Sequence, residues 1–141
     1  MAEPPFYLLD THIWFWLVRG AEGRLAKNTA ARLEQAALRV PLGVSIVSVW
    51  EIALLASKGR IGLEMPVKEW VGSALDRPGF VQLDIDVGIA VDSCNLPGTF
   101  HADPADRFLV ATARLKNAVI VTRDQRILRY GKQGHVKAMA A

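Results

Sequence analysis

Five acidic residues are placed where they could do chemistry: Asp10, Glu51, Asp103, Asp106 and Asp124. Asp10 closes the apolar run "FYLLD" and Asp124 closes the β-rich run "VIVTRD". An unpaired buried charge is costly, so a carboxylate between a strand and an apolar helix needs a donor, a cation or a metal beside it. Open α/β sheets bind ligands beyond the carboxyl ends of their strands. Asp10 and Asp124 therefore meet at one edge if their strands are neighbours. Glu51 and Asp106 are each expected in the first turn of a helix, facing that same edge. Carboxylates sharing a cleft repel and raise one another's pKa. A divalent cation offsets the repulsion, and Mg²⁺ or Mn²⁺ suits an all-oxygen donor set. Such a site can activate water and neutralise charge developing on a phosphate, which is the chemistry of phosphodiester hydrolysis.

Each acid also has a purely structural reading. Ser48-x-x-Glu51 fits a capping box with Ser48 as the helix cap. Asp103 fits an N-cap followed by Pro104 at the first helical position, with Asp106 in the first turn, where the helix dipole favours an acid. Asp10 and Asp124 could simply end strands. Thr11 and Thr122 could orient an acid or bond within turns. Arg107 and Arg123 adjoin two of the acids and could hold a substrate phosphate or form internal ion pairs. His12, His101 and His135 lack metal-ligand spacing. Cys94 has no His partner nearby to make it a nucleophile and is expected to be buried. Trp50 and Trp70 are expected in the core, whereas Trp14 and Trp16, two apart on a helix, do not share a face.

The elements that must position these residues alternate. "FYLLD", "LGVSI", "GFVQLD" and "VIVTRD" read as short covered strands, with a last strand near residues 135–139. Helices are expected in "THIWFWLVRG", closed by Gly20, around Thr29 to Arg39, in "SVWEIALLASKGR", after Pro66 in its first turn, after Asp84 as a cap, in "DPADRFLVATARLKNA" and in "QRILRYG". Strands separated by helices predict an α/β fold with a mostly parallel sheet.

Composition sets the outer bounds. The 141 residues, 51% hydrophobic, suit one domain spanning 1–141. One cysteine excludes an internal disulfide and is compatible with a cytoplasmic protein. "MAEPPF" carries no basic segment before an apolar run, so no signal peptide is expected. "VPLGVSIVSVWEIALLA" is interrupted by Glu51 and falls short of a membrane span. The net charge is +3 and the pI about 9.3. From Asp106 onward, Arg107, Arg114, Lys116, Arg123, Arg126, Arg129, Lys132 and Lys137 outnumber the acids Asp106 and Asp124. A polyanion would be favoured there if the fold gathered these cations on one side.

Four segments, "LLDTHIWFW", "SIVSVWEIALLASKGRI", "HADPADRFLVATA" and "VIVTRD", together resemble a PIN-domain ribonuclease of the VapC toxin type, in that family's order and across nearly the whole chain. The resemblance implies a PIN-like three-layer α/β/α domain. It implies a Mg²⁺- or Mn²⁺-dependent endoribonuclease in which Asp10, Glu51, Asp106 and Asp124 form the metal site, with Thr11, Asp103 and Thr122 in support. It also implies an RNA substrate, a VapB-like antitoxin partner, and a homodimer not bound to a membrane. The competing readings are a PIN nuclease for RNA processing outside a toxin–antitoxin pair, and a noncatalytic α/β cation- or phosphate-binding signalling module. Against the signalling module, "VIVTRD" ends in an acid where such modules usually carry a lysine.

Overall fold

The computed structural model describes residues 2–20 and 25–141. The elements run β1 (Tyr7–Leu9), α1 (Thr11–Arg19), α2 (Lys27–Ala37), β2 (Leu42–Ser45), α3 (Ile46–Ser57), α4 (Val67–Leu75), β3 (Phe80–Leu83), α5 (Val87–Ser93), α6 (Pro104–Lys116), β4 (Val119–Thr122), α7 (Gln125–Lys132) and β5 (Lys137–Ala140). The five strands form one sheet in the order β3-β2-β1-β4-β5, and each pairing is parallel. The chain builds outward from β1 through β2 to β3, then returns to β1's other side for β4 and β5. The strand order reverses between β1 and β4, which is where open α/β sheets leave a crevice.

The sheet is covered on both faces, which is why its short central strands are apolar without alternation. Successive strand residues point to opposite faces. Tyr7, Leu9, Leu42, Val44 and Val121 pack with Ile13, Trp14, Leu33, Ile52 and Trp70 in the layer of α1 to α4. Leu8 and Ile120 pack with Ile89, Leu109, Val110, Ile127 and Tyr130 in the layer of α5 to α7. The result is the three-layer α/β/α architecture expected from the sequence.

Several local expectations hold. Gly20 closes α1 in the left-handed conformation at φ 61°. Asp103 caps α6 with Pro104 at its start, and the last strand forms as β5. Others change. Ser45, not Ser48, caps α3, its hydroxyl accepting from Val47 N at 3.0 Å. Ser48 is instead buried inside the helix, so there is no capping box, and Glu51 sits in the second turn rather than the first. Asp86 rather than Asp84 caps α5, because its Oδ1 reaches Ile89 N at 2.8 Å. Asp84 accepts from Gln82 Nε2 instead. Pro66 stands at the cap of α4, one position before the helix.

Trp70 is buried as expected, but Trp50 is 58% exposed. The cause is angular: α3 turns Ser48 and Ile52 inward, and Trp50, two residues from each, is rotated about 200° away. Cys94 is also exposed, at the C-terminal cap of α5. The C-terminal cations do not gather on one side. The 13-residue α6 spans about 20 Å. It carries Arg114 and Lys116 away from Asp106, towards the start of β4, where Lys137 also lies in register with Val119. No helix among the described residues is long and apolar enough to cross a membrane.

Gly43 marks how closely β2 is packed. A Cβ there would meet Phe6 Cζ at 3.0 Å, Leu83 Cδ1 at 3.1 Å and the Tyr7 carbonyl oxygen at 3.3 Å. Gly43→Val is expected to destabilise the protein by about 1 to 3 kcal/mol in urea unfolding through overpacking. Gly62→Ala, where a Cβ meets nothing, is expected to stay within about 0.5 kcal/mol of wild type. Equal losses at both positions would contradict this packing.

Candidate active site

The parallel register of β1 and β4 pairs Leu9 with Val121, so the next residues, Asp10 and Thr122, emerge side by side at the strands' carboxyl ends. Asp10 N donates to the Val121 carbonyl at 3.0 Å. Thr122 Oγ1 donates to Asp10 Oδ2 at 2.6 Å and accepts from Asp124 N at 2.9 Å. One buried hydroxyl thus links the two strand-end acids. Asp10 Oδ1 accepts from Thr11 N at 2.8 Å as α1 begins. Burial pushes the Asp10 pKa up, while the Thr122 and Thr11 bonds pull it back down.

Glu51 reaches the same region from α3. Thr11 Oγ1 lies 2.5 Å from Glu51 Oε1 and 2.8 Å from Ser48 Oγ. A hydroxyl has one proton. The carboxylate is the stronger acceptor, so Thr11 donates to Glu51 and Ser48 donates to Thr11. Both Thr11 and Ser48 are buried, which fixes the relay. The Glu51 pKa is raised, first by burial and then by Asp10 and Asp103, against the Thr11 bond that lowers it.

Asp106 enters from the first turn of α6, its backbone N–H capped by Asp103 Oδ2 at 3.2 Å. It is the most perturbed acid, pushed up to about 7 by burial and then by the charges of Asp10, Asp103, Asp124 and Glu51. All the expected acids therefore share one electrostatic field. Asp124 moves the other way. It caps α7, and Arg126 holds its carboxyl below the ordinary range.

The remaining sequence candidates divide. Arg107 turns away from the acids: its guanidinium donates to the carbonyls of Ser93, Phe100 and His101, tying the loop before α6. Arg123 is exposed, stacks 5.1 Å above the Trp16 ring and donates to the Ala141 carbonyl. His12 is exposed beside the site, and its charge lowers the pKa of both Asp10 and Glu51.

Sequence reasoning missed Ser48, His101 and Arg126. His101 Nε2 lies 3.1 Å from Asp106 Oδ2, close but without hydrogen-bond alignment. Its Nδ1 accepts from Asp103 N at 3.4 Å. Burial and then Arg126 push the imidazole pKa down, so the ring is neutral with its proton on Nε2, towards Asp106. Only Arg126 left a local signal, two residues after an N-cap acid. Ser48 and His101 reach the site through tertiary packing.

The donor set fits a hard divalent cation in chemistry and charge: carboxylate and hydroxyl oxygens, with burial and then mutual repulsion holding a proton on Asp106 near neutrality. It is not drawn tight. Among the described residues, no three His, Cys, Asp or Glu side chains stand close enough to hold an ion together as they are. A cation drawing on three of them would require these side chains to move.

The PIN domain family model matches residues 7–133. The chain is 33% identical over 120 residues to Ribonuclease VapC22 of Mycobacterium tuberculosis (strain ATCC 25618 / H37Rv), covering 85% of this chain and 88% of that protein. Its fold matches the crystal structure of VapBC2 from Rickettsia felis bound to a DNA fragment from their promoter. There the TM-score is 0.68 at 18% identity, over 96% of this chain and 98% of that one. It also matches DNA-bound VapBC from Salmonella typhimurium, with a TM-score of 0.66 at 16% identity over 97% and 98% of the two chains.

Two outcomes follow from this geometry. Asp106 holds its proton more tightly in the fold, at about 7, than at its ordinary value of 3.8. Its contribution to stability is therefore full below pH 3.8 and is lost as pH rises through about 7. In metal-free protein, Asp106→Asn is expected to exceed wild type by on the order of 2 kcal/mol at pH 8, with the gap closing towards pH 4. Urea unfolding across that range is the measurement, and a gap that widens at low pH would refute it. Thr122→Val removes the donor to Asp10 and the acceptor for Asp124 N, and is expected to cost about 1 to 3 kcal/mol. Thr122→Ser should retain most of the stability, and equal losses in the two variants would assign the effect to packing rather than to the hydroxyl.

Proposed function

The chain belongs to the PIN-domain family, and on that premise we propose that it is a Mg²⁺- or Mn²⁺-dependent endoribonuclease acting as the toxin of a VapBC-type pair. The observation that carries the reading is the shared field of Asp10, Glu51, Asp106 and Asp124 at the reversal of strand order. The 33% identity to a protein named as a ribonuclease supports RNA as the substrate. The fold match to VapBC complexes supports an antitoxin partner.

In this reading Asp10, Glu51, Asp106 and Asp124 hold the cation. When bound, the cation supplies positive charge to the scissile phosphate and acidifies the attacking water. Thr122 keeps Asp10 in place, and the Ser48–Thr11 relay keeps Glu51 in place, so neither carboxylate has to search for its position. Asp103 caps α6 and sets the height of Asp106. His101, neutral and in contact with Asp106, steadies that acid without adding charge. Arg123, stacked on Trp16 at the rim, is the cation placed for a flanking RNA phosphate. Arg107 serves the loop before α6.

Uncovered apolar side chains support the reading of protein partners. Trp50, next to Glu51 on α3, is exposed, as are Val87, Val91 and Leu115. Aromatic and apolar side chains of this kind suit an antitoxin segment laid along α3 and a second copy of the chain elsewhere. A PIN nuclease of RNA processing would use the same catalytic residues, so the partner, not the site, separates the two.

The test is cleavage of structured RNAs with exposed loops by wild type, Asp10→Asn and Asp124→Asn, with Mg²⁺, with Mn²⁺ and with chelator. Wild type should make internal cuts that stop on chelation and return with metal. Each variant should remain folded and cut roughly 100-fold less, the scale of losing one charge-stabilising group. Cutting by Asp124→Asn at the wild-type rate would remove Asp124 from the mechanism, and metal binding without any cutting would favour a noncatalytic cation-binding module.

A further inference from the structure

Arg126 occupies a position that its neighbours make specific. Its Nε lies 3.3 Å from Asp124 Oδ1 and its Nη2 lies 3.0 Å from Asp124 Oδ2, a two-pronged contact. The same Nη2 is 3.7 Å from Asp106 Oδ2. Asp124 Oδ1 is already taken by the backbone, accepting from Arg126 N at 2.8 Å and Ile127 N at 3.4 Å as the cap of α7. Oδ2 is the Asp124 oxygen that the cap leaves free. One guanidinium nitrogen therefore stands between the available oxygen of Asp124 and an oxygen of Asp106, on two different helices.

We infer that Arg126 is a resident counter-ion of the acidic cleft, holding Asp124 and Asp106 in the metal-free protein and leaving them when a divalent cation binds. This rests on the metal-dependent reading above. A cation bonded to a carboxylate oxygen at about 2.0–2.1 Å, as Mg²⁺ is, cannot share that oxygen with an arginine nitrogen on the same side without steric and like-charge conflict. The arginine is also free to go. Its side chain is 52% exposed and, among the described residues, makes no bond beyond these two acids. Exposed ion pairs of this kind are weak, so exchange is easy. The arrangement answers two needs at once. Without metal, one positive charge partly offsets the crowded carboxylates. With metal, the guanidinium is released at the rim of the cleft.

A purely local role is the competing explanation: Arg126 could do no more than brace the cap of α7. Calorimetric titration of Mn²⁺ into metal-free wild type, Arg126→Gln and Arg126→Lys separates the two. If Arg126 must be displaced, Arg126→Gln should bind Mn²⁺ about fivefold tighter than wild type, the scale of an exposed ion pair. Arg126→Lys, which keeps the charge but cannot fork, should fall between them. A second readout is direct. In wild type, the Arg126 Nε–Hε resonance should shift and lose its protection from exchange as Mg²⁺ saturates the site. Equal or weaker Mn²⁺ binding by Arg126→Gln would overturn the inference, and so would an Arg126 resonance that ignores saturating Mg²⁺. Mn²⁺ binding by neither wild type nor Arg126→Gln would instead overturn the metal-dependent reading itself, and the inference with it.

Discussion

Like-charge crowding at one edge of the sheet is the constraint on which the rest of the structure depends. Burial first, and then the charges of Asp10, Asp103, Asp124 and Glu51, carry Asp106 to about 7. Asp10, Glu51 and Asp124 are held by donors matched to them, and Asp106 is not. Thr122 and Thr11 serve Asp10, Thr11 serves Glu51, the start of α7 serves Asp124, and His101 lies against Asp106. Hydrogen bonds to the charged form lower a carboxylate's pKa, and burial among like charges raises it. The two influences are distributed unevenly. Asp124 stays ionised, while Asp106 takes the repulsion that the others do not relieve.

That distribution follows from which element carries each acid. Asp10 and Asp124 cap helices that begin directly after neighbouring strands, so the backbone supplies donors to them. Asp106 lies in the first turn of a helix whose cap is Asp103, and among the described residues its carboxylate receives no backbone donor while the charges of Asp10, Asp103, Asp124 and Glu51 all act on it. Glu51 is further along its helix and depends on Thr11, a residue of another element. The acids resemble one another chemically, and the topology makes them electrostatically distinct. On the proposed function, stability and activity pull in opposite directions at Asp106, as is common where sites keep charges together.

The sequence made the strand-end acids legible because their signal is local. An apolar run ending in an acid and followed by a helix names its own position at the edge of a sheet. Asp103 with Pro104 was legible for the same reason. What the sequence hid is what tertiary packing decides. Ser48 looked like a cap because Ser45, three residues earlier, had to be recognised as the end of β2 before the start of α3 could be placed. With the helix start moved, Glu51 moves from the first turn to the second, and Trp50 turns outward. Whether the basic C-terminal third forms one surface stayed open, because spacing along a chain says nothing about the two ends of α6. Arg107 adjoins Asp106 in sequence, yet successive helix positions are 100° apart, and the loop before α6 offers it three carbonyls.

The position of α3 makes the relay possible. Thr11 opens α1 and Ser48 lies in the first turn of α3, and both hydroxyls are buried where those helices meet. A buried hydroxyl with no partner would be costly, so Ser48, Thr11 and Glu51 satisfy one another in series. Ser48 is thereby tied to the carboxylate through a residue it does not adjoin in sequence. The same logic holds at Thr122, whose hydroxyl donates to one strand-end acid and accepts from the backbone of the other. These two threonines join the sheet to the helices at the one edge where charge collects. Asp10 and Glu51 are therefore held in place by neutral groups, which orient them without cancelling their charge, whereas Asp124 is held by the Arg126 guanidinium.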